Sequence, residues 1–477
     1  MTVNVDRVPL GDIISHQKGF AFKSKDYLNE GHPVVRVSNF TADSISLDDL
    51  KFVGDEVAVQ NTNVVLKEGD IVIATVGSWP SNPASIVGKT VSVPSGLEGA
   101  LLNQNSVRLR VTNGQIDDQE YLFYALKSPK FSEYLVCSAQ GSANQASITL
   151  KDIFGYEVEW PEAYVRSFIV ATLGSIRRKI QLNQQINQTL EQMTQAIFKS
   201  WFVDFEPVKA KTAALDAGGT DDDALLAAMQ AISGKDADQL AQMQAEQPEQ
   251  YTELRATAEL FPSAMQDSEL GEIPEGWEVV PVSDFGQVVC GKTPSKKKPE
   301  FYGESVPFIK IPDMHGQLFA TRTTECLSAV GAASQPKKAI PKGAVCVSCI
   351  ATVGQVVITT EESHTNQQIN SIVPFNQSYT TYLYFRMGSL YKHLHDLASG
   401  GSATLNLNTG NFSKIQVLKP SLDVLERYHS CTSAMLEGAL NNTYDIHALE
   451  SLRDTLLPKL LSGDLSISQV IEEPDYE

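Results

Sequence analysis

The 477-residue sequence lacks the features that mark a secreted, membrane or metal-binding protein. Its six cysteines, at 137, 290, 326, 346, 349 and 431, are too scattered for a disulfide framework. Cys346 and Cys349 form one C-x-x-C with no second pair and no H-x-x-x-H nearby. Half a zinc site or a redox pair is the other reading, but the strand-like apolar run around them favours two buried thiols. The eight histidines show no metal-ligand spacing, and His393 and His395, two apart, would face different sides of a helix. No targeting pattern precedes the first strand-like run. The most apolar stretch, 344–358, is too short to cross a bilayer and is broken by Gly354 and Gln355. A protein of the reducing cytoplasm, with no membrane partner, is expected.

Positive charge is also scarce. The formal net charge is −19, yet the 207–271 stretch and the 421–477 end each carry −8 of it. Residues 1–160 are mildly acidic at −6, and 272–420 are slightly basic at +2. This distribution does not exclude a nucleic acid; it restricts where one could bind.

Catalytic signatures are missing as well. Gly286-Gln287-Val288-Val289-Cys290-Gly291-Lys292-Thr293 fits the phosphate-loop pattern G-x-x-x-x-G-K-[ST]. That loop works only where a helix starts at its lysine, so that N–H groups and the helix dipole meet phosphate. Here Pro294-Ser295-Lys296-Lys297-Lys298-Pro299 follows, with two prolines and no helical period. An amino-methyltransferase loop of the N/D/S-P-P-Y/F type is absent, since Asn82-Pro83 lacks the second proline and the aromatic. The chain is expected not to be an enzyme and to hold no cofactor.

What is present is a helical signal over 161–206. Ile169, Leu173, Ile176, Ile180, Leu190, Ile197 and Trp201 share one 3–4 spaced frame, completed by Asn183, Asn187 and Thr194. A second frame runs through Leu182, Ile186, Leu190, Met193 and Ile197. Pro161 suits a helix start and Pro207 a helix end. A rod of roughly 60 Å suits a coiled coil that needs a partner, the alternative being one long core helix.

Residues 1–160 and 272–419 read as short strands with turns, for example 33–37, 70–74 and 106–110, interrupted by a helical patch near 118–136. The 207–271 stretch reads as an acidic helical insert, with runs at 223–232 and 237–247; a disordered linker is the alternative. Pro420 opens a second long helix ending near Gly463. Short matches recur in one order, the mark of a duplication. Val8-Pro9-Leu10 answers Val280-Pro281-Val282, and Ala74-Thr75-Val76-Gly77 answers Ala351-Thr352-Val353-Gly354. Asn103-Gln104 answers Asn366-Gln367, Asn105-Ser106 answers Asn370-Ser371, and Gly141-Ser142-Ala143 answers Gly401-Ser402-Ala403. Two long helices in one chain can pair antiparallel. Each would then carry a globular reader of a two-part target such as DNA.

Several runs resemble a known family. Phe198-Lys199-Ser200-Trp201-Phe202-Val203-Asp204-Phe205-Glu206-Pro207 is similar to the end of the central helix of type I restriction–modification specificity subunits. Gly271-Glu272-Ile273-Pro274-Glu275-Gly276-Trp277-Glu278 and Gly291-Lys292-Thr293-Pro294-Ser295 resemble the start of their second target-recognition domain. Gly19-Phe20-Ala21-Phe22-Lys23-Ser24 with Asp26-Tyr27 resembles the first, and Leu456-Leu457-Pro458-Lys459-Leu460-Leu461-Ser462-Gly463 the end of the second helix.

The resemblance implies an α+β architecture with pseudo-two-fold duplication: target-recognition domains at 1–160 and 272–419, and antiparallel helices at 161–206 and 420–465. The 207–271 insert and an acidic tail, 466–477, complete it. It also implies a non-catalytic subunit of a bacterial or archaeal cytoplasmic complex that recognises a bipartite double-stranded DNA site. Its partners would be two methyltransferase subunits using S-adenosylmethionine and restriction subunits using ATP and Mg. A coiled-coil adaptor binding proteins is the alternative.

Candidate DNA contacts in the first domain are Lys23, Lys25, Arg36, Asn39, Trp79, Gln140, Ser142 and Asn144. In the second they are Lys292, Thr293, Ser295, Lys296, Lys297, Lys298, Lys310, Ser402 and Thr404. Each lysine of the 296–298 run could equally be a solvated charge, and the small polar loops could be ordinary turns. Subunit docking is assigned to Phe198, Trp201, Phe202, Phe205, Leu457, Leu460 and Leu461.

Overall fold

A computed structural model describes residues 6–79, 87–142, 145–399, 405–463 and 465. The chain divides into two compact units, 1–181 with 447–477, and 182–446.

In the first unit, Ile71–Ala74 is buried along its whole length, which explains its unbroken apolar sequence. It lies inside a four-stranded antiparallel sheet of spatial order Ile14–Lys18, Ser106–Val111, Ile71–Ala74, Thr90–Ser92. A second sheet runs Tyr27–Leu28, Lys51–Val53, His32–Val35, Leu101–Leu102, the last pair parallel. Asp6–Pro9 pairs with Glu157–Trp160. The predicted helical patch is two helices, Ile116–Leu126 and Pro129–Ser138, because Ser128 caps the second through the Phe131 N–H.

The second unit repeats this plan. Gly286–Cys290, Ile369–Pro374, Val345–Ser348 and Val356–Thr359 follow the same order, with Phe319–Ala320 added at the edge. Tyr302–Gly303, Cys326–Leu327, Val306–Ile309 and His364–Thr365 form the companion sheet, and Glu278–Pro281 pairs with Gln416–Lys419. Val8-Pro9-Leu10 and Val280-Pro281-Val282 are true equivalents: the Leu10 N–H donates to the Tyr156 carbonyl as Val282 does to Ile415. Two other matches are displaced. Thr75 is the equivalent of Cys349, so Ala74-Thr75-Val76-Gly77 falls three residues before its supposed partner. Ser106 is the equivalent of Ile369, not Ser371, because Gly19 and Gly291 donate to those two carbonyls.

Two helices of 40 residues each, Ala163–Phe202 and Leu422–Leu461, run through both units. The first frame of the central helix is the buried one, with Ile169, Leu173, Ile176, Ile180, Asn183, Thr194 and Trp201 inside. Leu182, Ile186 and Met193 of the second frame are exposed. In the first unit, Val165, Ile169 and Leu173 share a core with Leu457 and Leu460. In the second, the Asn187 amide donates to the Thr443 hydroxyl at 3.1 Å and the Tyr428 hydroxyl to the Thr194 carbonyl at 3.2 Å. Later residues of one helix meet earlier residues of the other, so the pair is antiparallel.

Helix ends differ from expectation in two places. The central helix stops at Phe202, where Phe205 takes a left-handed φ of 56°, and Pro207 sits in the first turn of the next helix, Glu206–Asp216. Pro161 lies before Ala163, where its carbonyl accepts from the Arg166 guanidinium. The insert is ordered as four helices, Glu206–Asp216, Asp221–Ser233, Ala237–Glu246 and Pro248–Glu259, around Ala228, Met229, Leu240 and Ala258. Arg427 of the distal helix holds it through Thr257 at 2.7 Å and Glu253 at 2.6 Å. Its packed core replaces the disordered-linker reading.

Candidate nucleic-acid interface

The same crossing is built in both units. Gly19 passes so close to Asn103 that a Cβ would lie 1.9 Å from its carbonyl oxygen; at Gly291 a Cβ would lie 2.2 Å from that of Asn366. Only glycine fits such an approach. Around it, three segments are laced by backbone hydrogen bonds. Phe20 donates to Leu102 and Asn103 to Val35; Lys292 donates to Thr365 and Asn366 to Ile309. A fourth joins beside them: Thr75 donates to Asn105 and accepts from Ile148, as Cys349 does with Gln368 and Leu407. Each unit therefore gathers its polar loops on one rim, at one end of its main sheet.

This geometry disposes of the phosphate-loop pattern. Gly286–Cys290 is a strand paired antiparallel with Ile369–Pro374, and no helix starts at Lys292. Both glycines of the pattern answer close backbone approaches, with Val373 at Gly286 and Asn366 at Gly291.

On the second unit's rim, Lys292, Ser295, Lys296, Lys297 and Lys298 are exposed and Thr293 half-exposed. The Tyr302 hydroxyl donates to the Pro294 carbonyl at 2.8 Å and fixes the base of the lysine loop. Lys298 Nζ lies 4.9 Å from the Phe301 ring centre. Buried Gln335 donates to the Lys292 carbonyl at 2.9 Å, which brings Lys337 and Lys338 to the same rim. Those two lysines lie 45 and 46 positions from Lys292, so sequence proximity does not show them.

On the first unit's rim, Lys23 and Lys25 are exposed on a short turn closed by the Lys23 N–H to Asp26. Gln140 is exposed on a hairpin that pairs, through Gln145–Ser147, with Val76–Gly77. Ser142 belongs to that hairpin by its backbone. Asn144, Ser402 and Thr404, and with them the Gly401-Ser402-Ala403 match, lie outside the described residues.

Four candidate DNA contacts are otherwise engaged. Asn39 is buried, accepting from the Arg36 N–H at 3.0 Å and donating to the Asp48 carbonyl at 3.2 Å. Its equivalent, Asp313, makes the same turn with the Lys310 N–H. The Arg36 guanidinium donates to the Asp49 carbonyl at 2.9 Å, and Lys310 pairs with Glu325 at 2.5 Å. The Lys310 hydrogen bond holds the Glu325 carboxyl below its ordinary pKa, so this lysine's charge is largely met within the chain. Trp79 packs half-buried against the first unit's helical core.

The docking residues need correction too. Phe198, Trp201 and Phe202 are buried in the second unit's core, where Phe202 meets Tyr428 edge-on at 5.1 Å and Trp201 meets Phe261 at 5.0 Å. Arg386 caps the helix end through the Phe202 carbonyl at 2.8 Å. Phe198, Trp201 and Phe202 help to fill the second unit's core. Leu457 and Leu460 are buried in the first unit's core, with Leu461 packed half-exposed beside them. Leu457 and Leu461 line a groove of about 690 Å³ with Tyr121, Tyr134 and Tyr156. Phe205 is half-buried against Trp277 at 6.0 Å.

Cys346 and Cys349 are buried against different clusters, and desolvation pushes their thiols up to about 12 and about 11. They are structural thiols. Among the described residues no cluster has a metal-binding arrangement, and no helix is long and apolar enough to cross a membrane.

Comparison with known proteins agrees with this architecture. A family model for the type I restriction modification DNA specificity domain matches residues 2–192 and 274–426. The type I restriction enzyme HindI specificity subunit of Haemophilus influenzae is 44% identical over 408 residues, covering 84% of this chain and 87% of the relative. The MjaIX specificity subunit of Methanocaldococcus jannaschii is 28% identical over 160 residues, covering 33% and 37%. A crystal structure of a type I restriction-modification system S subunit from M. genitalium shares the fold, with a TM-score of 0.50 at 12% identity over 96% of each chain. These matches do not favour the protein-binding adaptor. The chain belongs to the type I restriction-modification DNA specificity family, whose members are the specificity subunits of these systems.

Proposed function

We propose that this chain reads a bipartite double-stranded DNA site, one half-site per unit, and itself carries out no chemistry. The observation that carries the reading is the repeated rim, with exposed lysines and carboxamides gathered where Gly19 and Gly291 cross. Ammonium groups on such a rim meet backbone phosphates and set register, while carboxamides and hydroxyls reach base edges. The two 40-residue helices fix the gap between half-sites. Two modification subunits, carrying S-adenosylmethionine for adenine methylation, complete the methylating complex, and restriction subunits using ATP and Mg join it. Their docking is reassigned to the stripe that the cores leave uncovered on the central helix, Leu182, Ile186 and Met193, where an apolar helical face of a modification subunit fits. The acidic insert, repelled by phosphates, serves protein contact.

The test is equilibrium binding of the complex with its modification subunits to a genomic DNA library across salt. One two-part sequence should be enriched, with affinity falling steeply as salt rises. Enrichment of no sequence, or salt-insensitive binding, contradicts the reading.

A further inference from the structure

The hydrogen bonds around the two crossings place the matched pairs Asn103-Gln104 and Asn366-Gln367 at equivalent positions. Asn103 and Asn366 occupy the same place, and in both units the next residue is a glutamine, Gln104 or Gln367. The asparagines are spent inside. Asn103 donates to the Tyr27 hydroxyl at 3.3 Å, and buried Asn366 exchanges 3.0 Å hydrogen bonds with Gln368. The glutamines are exposed at the apex of the rim. An exposed carboxamide held on a rigid backbone turn is a good base reader, since its donor and acceptor match a purine edge in the major groove.

Their neighbours differ in one respect. The Thr293 hydroxyl donates to Gln367 Oε1 at 2.6 Å, which orients the amide and leaves Nε2 as its outward donor. The equivalent residue in the first unit, next after Phe20, is Ala21, which has no hydroxyl to offer Gln104. Phe20, in the place of Lys292, instead exposes a ring edge-on to Phe22 at 5.1 Å.

We propose that Gln104 and Gln367 are equivalent base-reading residues, one per half-site, and that Thr293 biases Gln367 toward a base edge that accepts hydrogen bonds. Gln104, unbiased, can both donate and accept, the pattern that suits adenine N7 and N6. This rests on the DNA-reading function proposed above and adds residues to it.

The test replaces Gln367→Ala, Gln367→Glu, Gln104→Ala and Thr293→Ala in the complex with its modification subunits. The readouts are the methylated motif in genomic DNA and binding to duplexes varied one base pair at a time. Q367A should make one position of one half-site degenerate, with discrimination there falling roughly 10- to 100-fold. The other half-site should be untouched. Q367E, the same size but lacking the donor, should move preference at that position toward a donor edge such as cytosine N4, which a purely structural role would not do. T293A should alter the same position as Q367A, and Q104A one position in the opposite half-site. An unchanged motif in Q367A and Q104A, or equal weakening at every position, overturns the assignment while DNA reading stands. If the unsubstituted complex methylates no bipartite motif, both readings fall.

Discussion

Replacing Lys296, Lys297 and Lys298 together by alanine tests the phosphate-contacting role of the rim. All three are exposed, and none joins the ion pairs among the described residues, whereas Lys310 nearby is paired with Glu325 at 2.5 Å. Each phosphate contact adds about 0.9 to the slope of log affinity against log salt. Three contacts contribute about 2.7, and two about 1.8 if Lys298 stays above the Phe301 ring, 4.9 Å away. Between about 50 and 200 mM salt the wild-type complex should therefore lose roughly 12- to 40-fold more affinity than the triple variant. The assay is equilibrium binding at several salt concentrations, to a duplex carrying the recognised site and to one without it. Both duplexes should show the same change in slope. An unchanged slope, or a loss confined to the cognate duplex, would refute phosphate contact and make the loop a base reader.

Gly291→Ala drives a Cβ to 2.2 Å from the Asn366 carbonyl, so thermal unfolding should show a loss of about 1–3 kcal/mol or more; unaltered stability would mean the crossing is loose. Asn183 is fully buried with both amide atoms unpartnered among the described residues, so Asn183→Leu should stabilise by about 1 kcal/mol in urea unfolding, and a loss there would point to an unseen partner. Inserting one turn into each long helix should change the gap between half-sites and leave their sequences intact, read by binding to duplexes of varied spacing. Burial raises the Asp43 carboxyl, but Lys127 at 2.8 Å, Arg453 and Arg177 outweigh it and hold the pKa below the ordinary 3.8. That stability is present above about pH 4 and is lost as pH falls through the lowered value, so Arg453→Ala should raise the acid-unfolding midpoint.

The fold was legible where one physical period dominates. Most of the frame from Ile169 to Trp201 is buried as its spacing required, with Asn183 and Thr194 inside it and Asn187, Leu190 and Ile197 half-buried. The prolines after Lys292 ruled out a phosphate loop before Gly291 was seen to cross Asn366. Legibility failed where tertiary contact decides. The Phe198, Trp201 and Phe202 cluster read as a docking surface, because the core that receives them includes Tyr382 and Tyr428, far along the chain. Arg36 and Lys310 looked like free cations because the Asp49 carbonyl that one meets and the Glu325 carboxylate that pairs with the other lie on neighbouring chain segments. The rim glutamines were matched in the sequence, since Asn103-Gln104 answers Asn366-Gln367, but their place beside the crossings was not legible. Gly19 and Gly291 differ by 272 positions and Gln104 and Gln367 by 263, so no fixed offset ties each glutamine to the glycine it accompanies.

The most direct measurement is a map of methylated adenines in the genomes of cells with and without this chain, the proposed modification partner present in both. A single asymmetric motif of two short half-sites separated by a constant gap, present only with the chain, is the predicted result. Methylation unchanged by removing the chain, or a motif with one continuous recognition element, would contradict two readers on a fixed helical spacer.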